Sequence, residues 1–170
     1  NTTCMLEIAL QKGKQLPVSK RYVVAQHEQV EKLALSYGYE IIHNKHPEKG
    51  ISHSIVLAVN SCKEDDGILF MVADQPLLKE TTLQNILEKA DEKHIVCVGN
   101  HDNFQNPMLF PKRYYEELLQ LQGDKGAKKI AYVHKENVIC VPCEKDEVFD
   151  FDTKKELQQF MMEGLNKDKC

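Results

Sequence analysis

Short apolar runs alternate with amphipathic stretches along this chain, a pattern typical of βαβ units. Apolar runs predict strands at residues 22–25, 40–44, 67–73, 94–99, 132–134 and 137–141, the last two as a hairpin. Apolar residues at helical spacing predict helices at residues 3–13, 27–37, 52–62, 81–92 and 153–164, and one starting at Pro111. A polar loop is expected before Pro111. This order favours an α/β fold: a three-layer α/β/α sandwich around a mostly parallel, Rossmann-like sheet, in one domain spanning residues 1–170.

The run at residues 67–73 is the clearest strand signal, because it is apolar throughout, as in a parallel strand covered on both faces. It is followed by Asp74-Gln75-Pro76, where Pro76 restricts the backbone of Gln75 and the strand must end. In open α/β sheets, ligands bind beyond the carboxyl ends of the strands, which is where Asp74 lies. A carboxylate at the end of an apolar run needs a cation or hydrogen-bond donors to stabilise its charge. Asp74 is therefore a candidate site residue.

A second acidic pair, Asp150 and Asp152, lies directly before the last predicted helix. Two interpretations remain open. Asp152 or Thr153 caps that helix. Alternatively, one of the two carboxylates meets Asp74 at the edge of the sheet and completes an oxygen-rich site suited to magnesium.

The composition is that of an ordinary globular domain, since 42% of the 170 residues are hydrophobic and 28% are charged. A net charge of -4, without a long run of basic residues, gives no reason to expect a nucleic acid partner. The apolar runs are much shorter than a membrane span, and the first residues lack the apolar run of a signal peptide. We therefore expect a cytoplasmic protein without membrane contact.

The six cysteines include one C-x-x-C pair, Cys140 and Cys143, and Cys97 inside an apolar run. A structural zinc site needs four ligands, and no second cysteine pair accompanies this one. Zinc binding and redox pairing are the alternatives. We expect reduced thiols, because a reducing compartment is the default without a secretion signal.

Four segments of the chain, two of which are described above, are recognisable as motifs. They are Asn44 with Gly50, Ser52 and Ser54; the acidic turn at residues 72–77; residues 106–111 followed by the Gly-Asp-Lys-Gly-Ala run at 123–127; and the Asp-x-Asp-Thr run at 150–153. In this order the sequence resembles the MobA-like NTP-transferase family, and most closely its molybdenum cofactor cytidylyltransferase branch. The matching segments extend from about residue 20 to residue 157.

The resemblance implies a magnesium-dependent nucleotidyltransferase that moves CMP from CTP to a molybdopterin-type cofactor and releases pyrophosphate. In the family, Asp74 and Asp152 would hold the magnesium ion and act catalytically. The residues implied in nucleotide and cofactor binding are Asn44, Gly50, Ser52, Ser54, Gln75, Pro76 and Lys125. A molybdoenzyme that receives the product is the implied partner. GTP as the donor and a sugar phosphate as the acceptor are the nearest variants.

Two departures from the family pattern keep other functions open. The Gly-rich loop that opens the family's sequences is not found, so we expect this chain to start after that loop and its strand. Lys154 and Lys155 follow Thr153, where the family usually has proline and an acidic residue. A non-catalytic nucleotide-binding domain of the same fold is therefore an alternative. A flavodoxin-like or Rossmann domain of unrelated function is another, although no glycine cluster follows the strand at residues 22–25.

Overall fold

The computed structural model describes residues 4–167 of the chain. The strands are β1 (Tyr22–Ala25), β2 (Glu40–His43), β3 (Gly67–Phe70), β4 (Ile95–Asn100), β5 (Asn103–Pro111) and β6 (Val138–Val141). The α-helices are α1 (Met5–Lys14), α2 (Glu28–Ser36), α3 (Ile51–Ser61), α4 (Glu80–Glu88), α5 (Tyr115–Leu119), α6 (Lys128–Val133) and α7 (Lys154–Lys167). Short 3₁₀ turns occupy Pro47–Lys49, Lys112–Tyr114, Lys135–Asn137 and Lys145–Val148.

The strands form a mixed arrangement in which most run in parallel. β1 and β2 pair in parallel as a two-stranded sheet. A four-stranded sheet has the order β3-β5-β4-β6, in which β4 and β6 are parallel and β5 is antiparallel to both of its neighbours. The predicted α/β fold is confirmed, and β5 is the strand that departs from parallel order.

The core lies on both faces of β4, whose residues Ile95, Val96, Cys97 and Val98 are fully buried. Ile95 and Cys97 face a cluster with apolar residues of α3, α5 and α6. Val96 and Val98 face the opposite cluster, which includes residues of α4. Burial on both faces explains why this strand is a continuous apolar run, and it gives the three layers that the sequence predicts.

The predicted loop before Pro111 is wrong, because residues 103–111 form β5. Asn106 and Pro107 interrupt the run of apolar residues by which a strand is recognised in the sequence. Cys97 pairs with Met108 whereas Val98 pairs with Gln105, so Asn106 and Pro107 bulge out of the ladder. A bulge is a position where a strand tolerates proline, since no ladder hydrogen bond from its nitrogen is needed.

The predicted hairpin near the end of the chain is also wrong. Residues 132–134 do not form a strand, because Tyr132 and Val133 belong to α6 and His134 ends it. The buried residues of this helix are Ile130 and Ala131. They precede Tyr132 and Val133, the aromatic and β-branched residues that indicated a strand. β6 pairs in parallel with β4 instead of forming a hairpin.

The remaining predicted elements are confirmed with small changes in their ends. The largest changes are at α4, which ends at Glu88, four residues before the predicted end at 92, and at β3, which ends at Phe70, three residues before the end of the apolar run at 67–73. Within the described part of the chain, no helix has the length and apolar character needed to cross a membrane.

Candidate functional site

The turn that follows β3 holds a carboxyl group in an unusual environment. Asp74 is half-buried, and its Oδ1 atom is fully buried and receives no hydrogen bond from residues 4–167. Burial raises the pKa of Asp74, its own backbone N–H lowers it, and the carboxylates of Asp150 and Asp152 raise it further. The net pKa lies above the usual aspartate value, because negative charge at this position is poorly compensated.

Two hydrogen bonds join this turn to the segment before α7. The backbone N–H of Phe151 donates to the carbonyl oxygen of Asp74 over 2.8 Å. The buried side chain of Gln75 donates from Nε2 to Oδ1 of Asp150 over 2.9 Å. These bonds place the segment of Asp150–Asp152 beside the turn of Asp74, which is the contact that the second sequence interpretation requires.

The other interpretation, a helix cap, applies to Thr153. The N–H of Glu156 donates to Oγ1 of Thr153, and Oε2 of Glu156 accepts from the N–H groups of Asp152 and Thr153. This reciprocal arrangement is a capping box, with Thr153 as the N-cap of α7. The carboxylate of Asp152 is exposed and does not take part in the cap, so it remains available to a ligand.

A buried glutamate that the sequence analysis missed joins the 3₁₀ turn at Lys145–Val148 to the start of α4. Glu147 is 2% exposed and accepts hydrogen bonds from the hydroxyl of Thr82 at 2.6 Å and from the N–H groups of Lys79 and Glu144, each at 3.0 Å. Burial alone would raise the pKa of Glu147, but these hydrogen bonds outweigh it and lower the pKa below its usual value. Its spacing of three residues from Glu144, as in a capping box, was the available sequence signal.

Lys12, in α1, contacts the acidic turn that contains Asp74. Its Nζ atom donates to the carbonyl oxygen of Pro76 over 2.6 Å. Burial lowers the pKa of Lys12, whereas the charges of Glu80 and Glu147 raise it. The side chain thus fixes the backbone of the Asp74–Pro76 turn to the first helix.

A second group of polar residues lies between β2 and α3. The side chain of Asn44 accepts a hydrogen bond from the N–H of His46 and donates to the hydroxyl of Ser54 over 3.1 Å. Gly50, just before α3, has φ +79°, and the carboxylate of Asp124 with the backbone of Gly123 occupies the space that a Cβ would need. Only glycine is compatible with this close approach.

These residues line a cavity of about 340 Å³ at the carboxyl ends of β1 and β2. Its walls include Ala25, Asn44, Gly50, Ser54 and Asp124. The position agrees with the rule that ligands of α/β folds bind beyond the carboxyl ends of parallel strands. Asp124, which was not among the candidate site residues from the sequence, contributes a carboxylate to the lining of this cavity.

The other candidate residues from the sequence lie outside this cavity lining. Ser52 is 2% exposed, and its N–H donates to the carbonyl oxygen of Gly123 over 3.2 Å, which joins α3 to the loop that carries Asp124. Lys125 is exposed beside Asp124 in the same loop. Pro76 is buried within the acidic turn. Ser52 thus fixes the start of α3 to this loop, and the carbonyl oxygen of Pro76 accepts the hydrogen bond from Lys12.

The donor set suits a hard cation that brings its own oxygen ligands. Within residues 4–167, no group of three or more His, Cys, Asp or Glu side chains is arranged to hold a metal ion by itself. Magnesium commonly binds through only one or two carboxylates and completes its shell with waters and phosphates. The unpartnered Oδ1 of Asp74 and the exposed carboxylate of Asp152 fit this pattern.

None of the described cysteines lines the cavity at the carboxyl ends of β1 and β2. The five described cysteines, Cys4, Cys62, Cys97, Cys140 and Cys143, are free thiols. Cys97 and Cys140 are register partners on β4 and β6. Burial, with a smaller effect of Cys140, raises the pKa of Cys97 to about 12, so its thiol is uncharged at neutral pH.

Comparison with known proteins identifies the family. The family model described as the MobA-like NTP transferase domain matches residues 1–138. The chain belongs to this family. The matched region contains both Asp74 and the cavity residues Asn44, Gly50, Ser54 and Asp124.

Solved structures support the same fold. A nucleotidyl transferase from Methanothermobacter thermautotroptrophicus has a TM-score of 0.80 and 19% identity over 96% of this chain and 81% of that chain. The protein Rv0371C from Mycobacterium tuberculosis, in complex with manganese, has a TM-score of 0.69 and 20% identity over 91% of this chain and 84% of that chain. A molybdopterin-guanine dinucleotide biosynthesis protein A from Archaeoglobus fulgidus has a TM-score of 0.56 and 20% identity over 91% of this chain and 82% of that chain. The fold is that of nucleotidyltransferases.

Proposed function

We propose that this chain binds CTP with magnesium and transfers CMP to the phosphate of a molybdopterin-type cofactor. The observation that carries the proposal is the carboxyl group of Asp74, whose buried Oδ1 lacks a hydrogen-bond partner among the described residues and whose neighbours are Asp150 and Asp152. The described residues of the protein compensate the negative charge of these carboxylates poorly. A cation that arrives with the triphosphate supplies the missing charge.

Asp74 and Asp152 are the carboxylates that would hold the metal ion. Magnesium, when bound, neutralises charge on the triphosphate and on the leaving pyrophosphate. The manganese complex of the mycobacterial structure supports a divalent ion in a protein of this fold. Gln75 acts indirectly, since its hydrogen bond to Asp150 positions the acidic segment against the turn.

The cavity between β2 and α3 is the proposed site for the base of the nucleotide. The carboxylate of Asp124 is suited to accept a hydrogen bond from an exocyclic amino group, which cytosine and guanine both carry. Asn44 and Ser54 add neutral polar groups to the same wall. The family resemblance favours CTP, and GTP is the nearest alternative because the archaeal neighbour is named for a guanine dinucleotide.

The reaction is a displacement at the α-phosphorus of the nucleotide. An oxygen of the acceptor phosphate forms a bond to this phosphorus, the bond to the bridging oxygen of the β-phosphate breaks, and pyrophosphate leaves. The acceptor oxygen is already deprotonated near pH 7, so no strong base is required of the protein. The residues of the chain contribute positioning and charge compensation, which are the main catalytic effects in reactions of this kind. A molybdoenzyme is the proposed recipient of the product.

Calorimetric titration tests this function directly. CTP and GTP are titrated with and without MgCl₂ into the wild type, Asp74→Asn and Asp102→Asn. Asp102 is an exposed aspartate in the β4–β5 turn and serves as the matched control. We expect magnesium to strengthen CTP binding, Asp74→Asn to weaken the magnesium-dependent binding about tenfold or more, and Asp102→Asn to bind as the wild type does.

The other outcomes separate the alternatives. CTP binding that neither magnesium nor Asp74→Asn changes would contradict the proposed site. Tighter binding of GTP than of CTP would assign the chain to the GTP-using variant. Magnesium-dependent binding without pyrophosphate release in the presence of molybdopterin would indicate a non-catalytic nucleotide-binding domain, or a relative that uses a sugar phosphate as acceptor, which a sugar-phosphate assay then distinguishes.

A further inference from the structure

A second cavity, of about 600 Å³, lies between the segment that follows Lys145–Val148 and the first turns of α7. Its lining contains the aromatic side chains of Phe149, Phe151 and Phe160. The carboxylates of Asp150 and Glu156 also line it. The volume is within the range of small-molecule sites, and the function described above assigns no ligand to this cavity.

The three phenylalanine rings form an aromatic corner. Phe160 packs nearly perpendicular to Phe149, with ring centroids 5.7 Å apart and an interplanar angle of 89°. It meets Phe151 at 5.5 Å and 71°. Phe151 is 6% exposed and anchors the group, whereas Phe149 is 45% exposed. A large aromatic surface left open in a cavity is suited to stacking against another flat ring.

The polar groups of the cavity are hydrogen-bond acceptors with negative charge. Asp150 accepts from Gln75 through Oδ1, and Glu156 accepts from two backbone N–H groups through Oε2. Each carboxylate has a second oxygen with further acceptor capacity. A ligand that satisfies both features of the cavity has a flat apolar face and N–H donors along its edge.

The cavity is directly connected to the acidic turn. Phe151 donates its backbone N–H to the carbonyl oxygen of Asp74, and Asp150 accepts from the side chain of Gln75. A ring bound against Phe149 and Phe160 would therefore lie beside the carboxylates that are proposed to hold the metal and the triphosphate. A phosphate attached to such a ring by a short chain can reach the site of the displacement.

We propose that this cavity holds the ring of the acceptor, a flat nitrogen-rich heterocycle of the pterin class, stacked on Phe149 and in edge-to-face contact with Phe160, with its N–H groups directed to Asp150 and Glu156. This inference rests on the proposed function, because it names the position of the acceptor in that reaction. The negative lining also disfavours acceptors with a carboxylate on the ring, since like charges would lie close together.

Fluorescence anisotropy of 6-hydroxymethylpterin tests the proposal with wild type, Phe149→Leu and Leu35→Ala. Leucine at position 149 keeps an apolar side chain but removes the ring, so it isolates stacking. Leu35 is a 59% exposed apolar residue on α2 and provides the matched control. We expect the wild type and Leu35→Ala to bind the pterin alike, and Phe149→Leu to bind about tenfold more weakly, which is the usual effect of losing one stacking contact. Thermal unfolding of each variant verifies that it is folded.

A second probe tests the role of the carboxylates. 1,3-Dimethyllumazine has the same flat bicyclic ring system but lacks the N–H donors, and its displacement of the bound pterin gives its affinity. Weaker binding of this compound, by about fivefold or more, is expected. Equal binding of the two compounds would overturn the assignment of Asp150 and Glu156.

The CTP titration of the wild type separates the two proposals. Magnesium-dependent CTP binding without pterin binding, or with pterin binding that Phe149→Leu leaves unchanged, overturns the ring site and leaves the nucleotide site standing. Pterin binding that depends on Phe149, in a protein that binds no CTP, supports the ring site and overturns the nucleotide assignment.

Discussion

Ligand binding and folding make opposite demands on the carboxyl group of Asp74. Its buried Oδ1 lacks a hydrogen bond from the described residues, and two further carboxylates repel its charge. We therefore predict that Asp74→Asn is as stable as the wild type or more stable, by up to about 1 kcal/mol in the free energy of unfolding. Urea denaturation at pH 7 in metal-free buffer measures this difference.

Asp102→Asn provides the reference for an exposed aspartate, and we expect it to match the wild type in this assay. A clear loss of stability in Asp74→Asn would mean that the carboxylate is already compensated in the folded protein. That result would remove the main argument for a cation at this turn. Adding magnesium and CTP is expected to reverse the order, because the ligands stabilise only the protein that binds them.

A candidate residue that its local sequence singles out can be selected from the sequence alone, whereas a contact between distant segments cannot. Asp74 follows a continuous apolar run, and that context makes it a candidate site residue without knowledge of the fold. Asp124 contributes to the cavity because its loop packs against Gly50, more than seventy positions earlier in the sequence. The Gly-Asp-Lys-Gly-Ala run at 123–127 indicates a family motif, but it does not indicate the contact with Gly50.

At the scale of elements, Glu147 connects the 3₁₀ turn at Lys145–Val148 to the start of α4. Three hydrogen bonds to its carboxylate come from Thr82, Lys79 and Glu144. We predict that Glu147→Gln lowers the free energy of unfolding at pH 7 by about 2–4 kcal/mol, because hydrogen bonds to a charged group are strong and the amide cannot accept all of them. Urea denaturation measures the loss.

The pH dependence follows from the lowered pKa of Glu147. A carboxylate with a lowered folded-state pKa stabilises the protein fully above its usual pKa of about 4.5 and loses this contribution as pH falls through the folded-state value. The difference between wild type and Glu147→Gln should thus shrink in acid. Glu28→Gln, which removes an exposed ion pair with Lys32 on α2, is expected to change the free energy of unfolding by no more than about 0.5 kcal/mol. A constant difference across the pH range would contradict the assignment.

The elements that the sequence mispredicted share a physical cause. β5 is interrupted by a bulge at Asn106 and Pro107, so its apolar residues do not keep the two-residue period. α6 has only six residues, and its buried positions Ile130 and Ala131 are too few to show a helical period. The apolar run at 67–73 and the regular faces of α2 and α3 have neither defect, so these elements were predicted. The expected environment of β3, a parallel strand covered on both faces, is wrong, because β3 pairs antiparallel with β5 and its residues are partly exposed.

At the scale of the whole molecule, Gly50 is the point where the start of α3 meets the loop of Asp124. A Cβ at Gly50 would collide with that carboxylate and with the backbone of Gly123, in addition to the strain of a side chain at φ +79°. We predict that Gly50→Ala lowers both the free energy of unfolding, by about 2 kcal/mol or more, and the affinity for CTP. Urea denaturation and calorimetric titration measure the two effects.

Gly38 offers a matched control, because it has nearly the same backbone conformation, φ +83°, with no atom within 4 Å of the position that a Cβ would take. Gly38→Ala should therefore show the conformational cost alone, about 1 kcal/mol, and bind CTP as the wild type does. The excess loss in Gly50→Ala then measures the close approach between two distant segments. If the two variants are equally stable and bind CTP equally well, the contact between α3 and the Asp124 loop does not shape the nucleotide cavity, and the base must bind elsewhere.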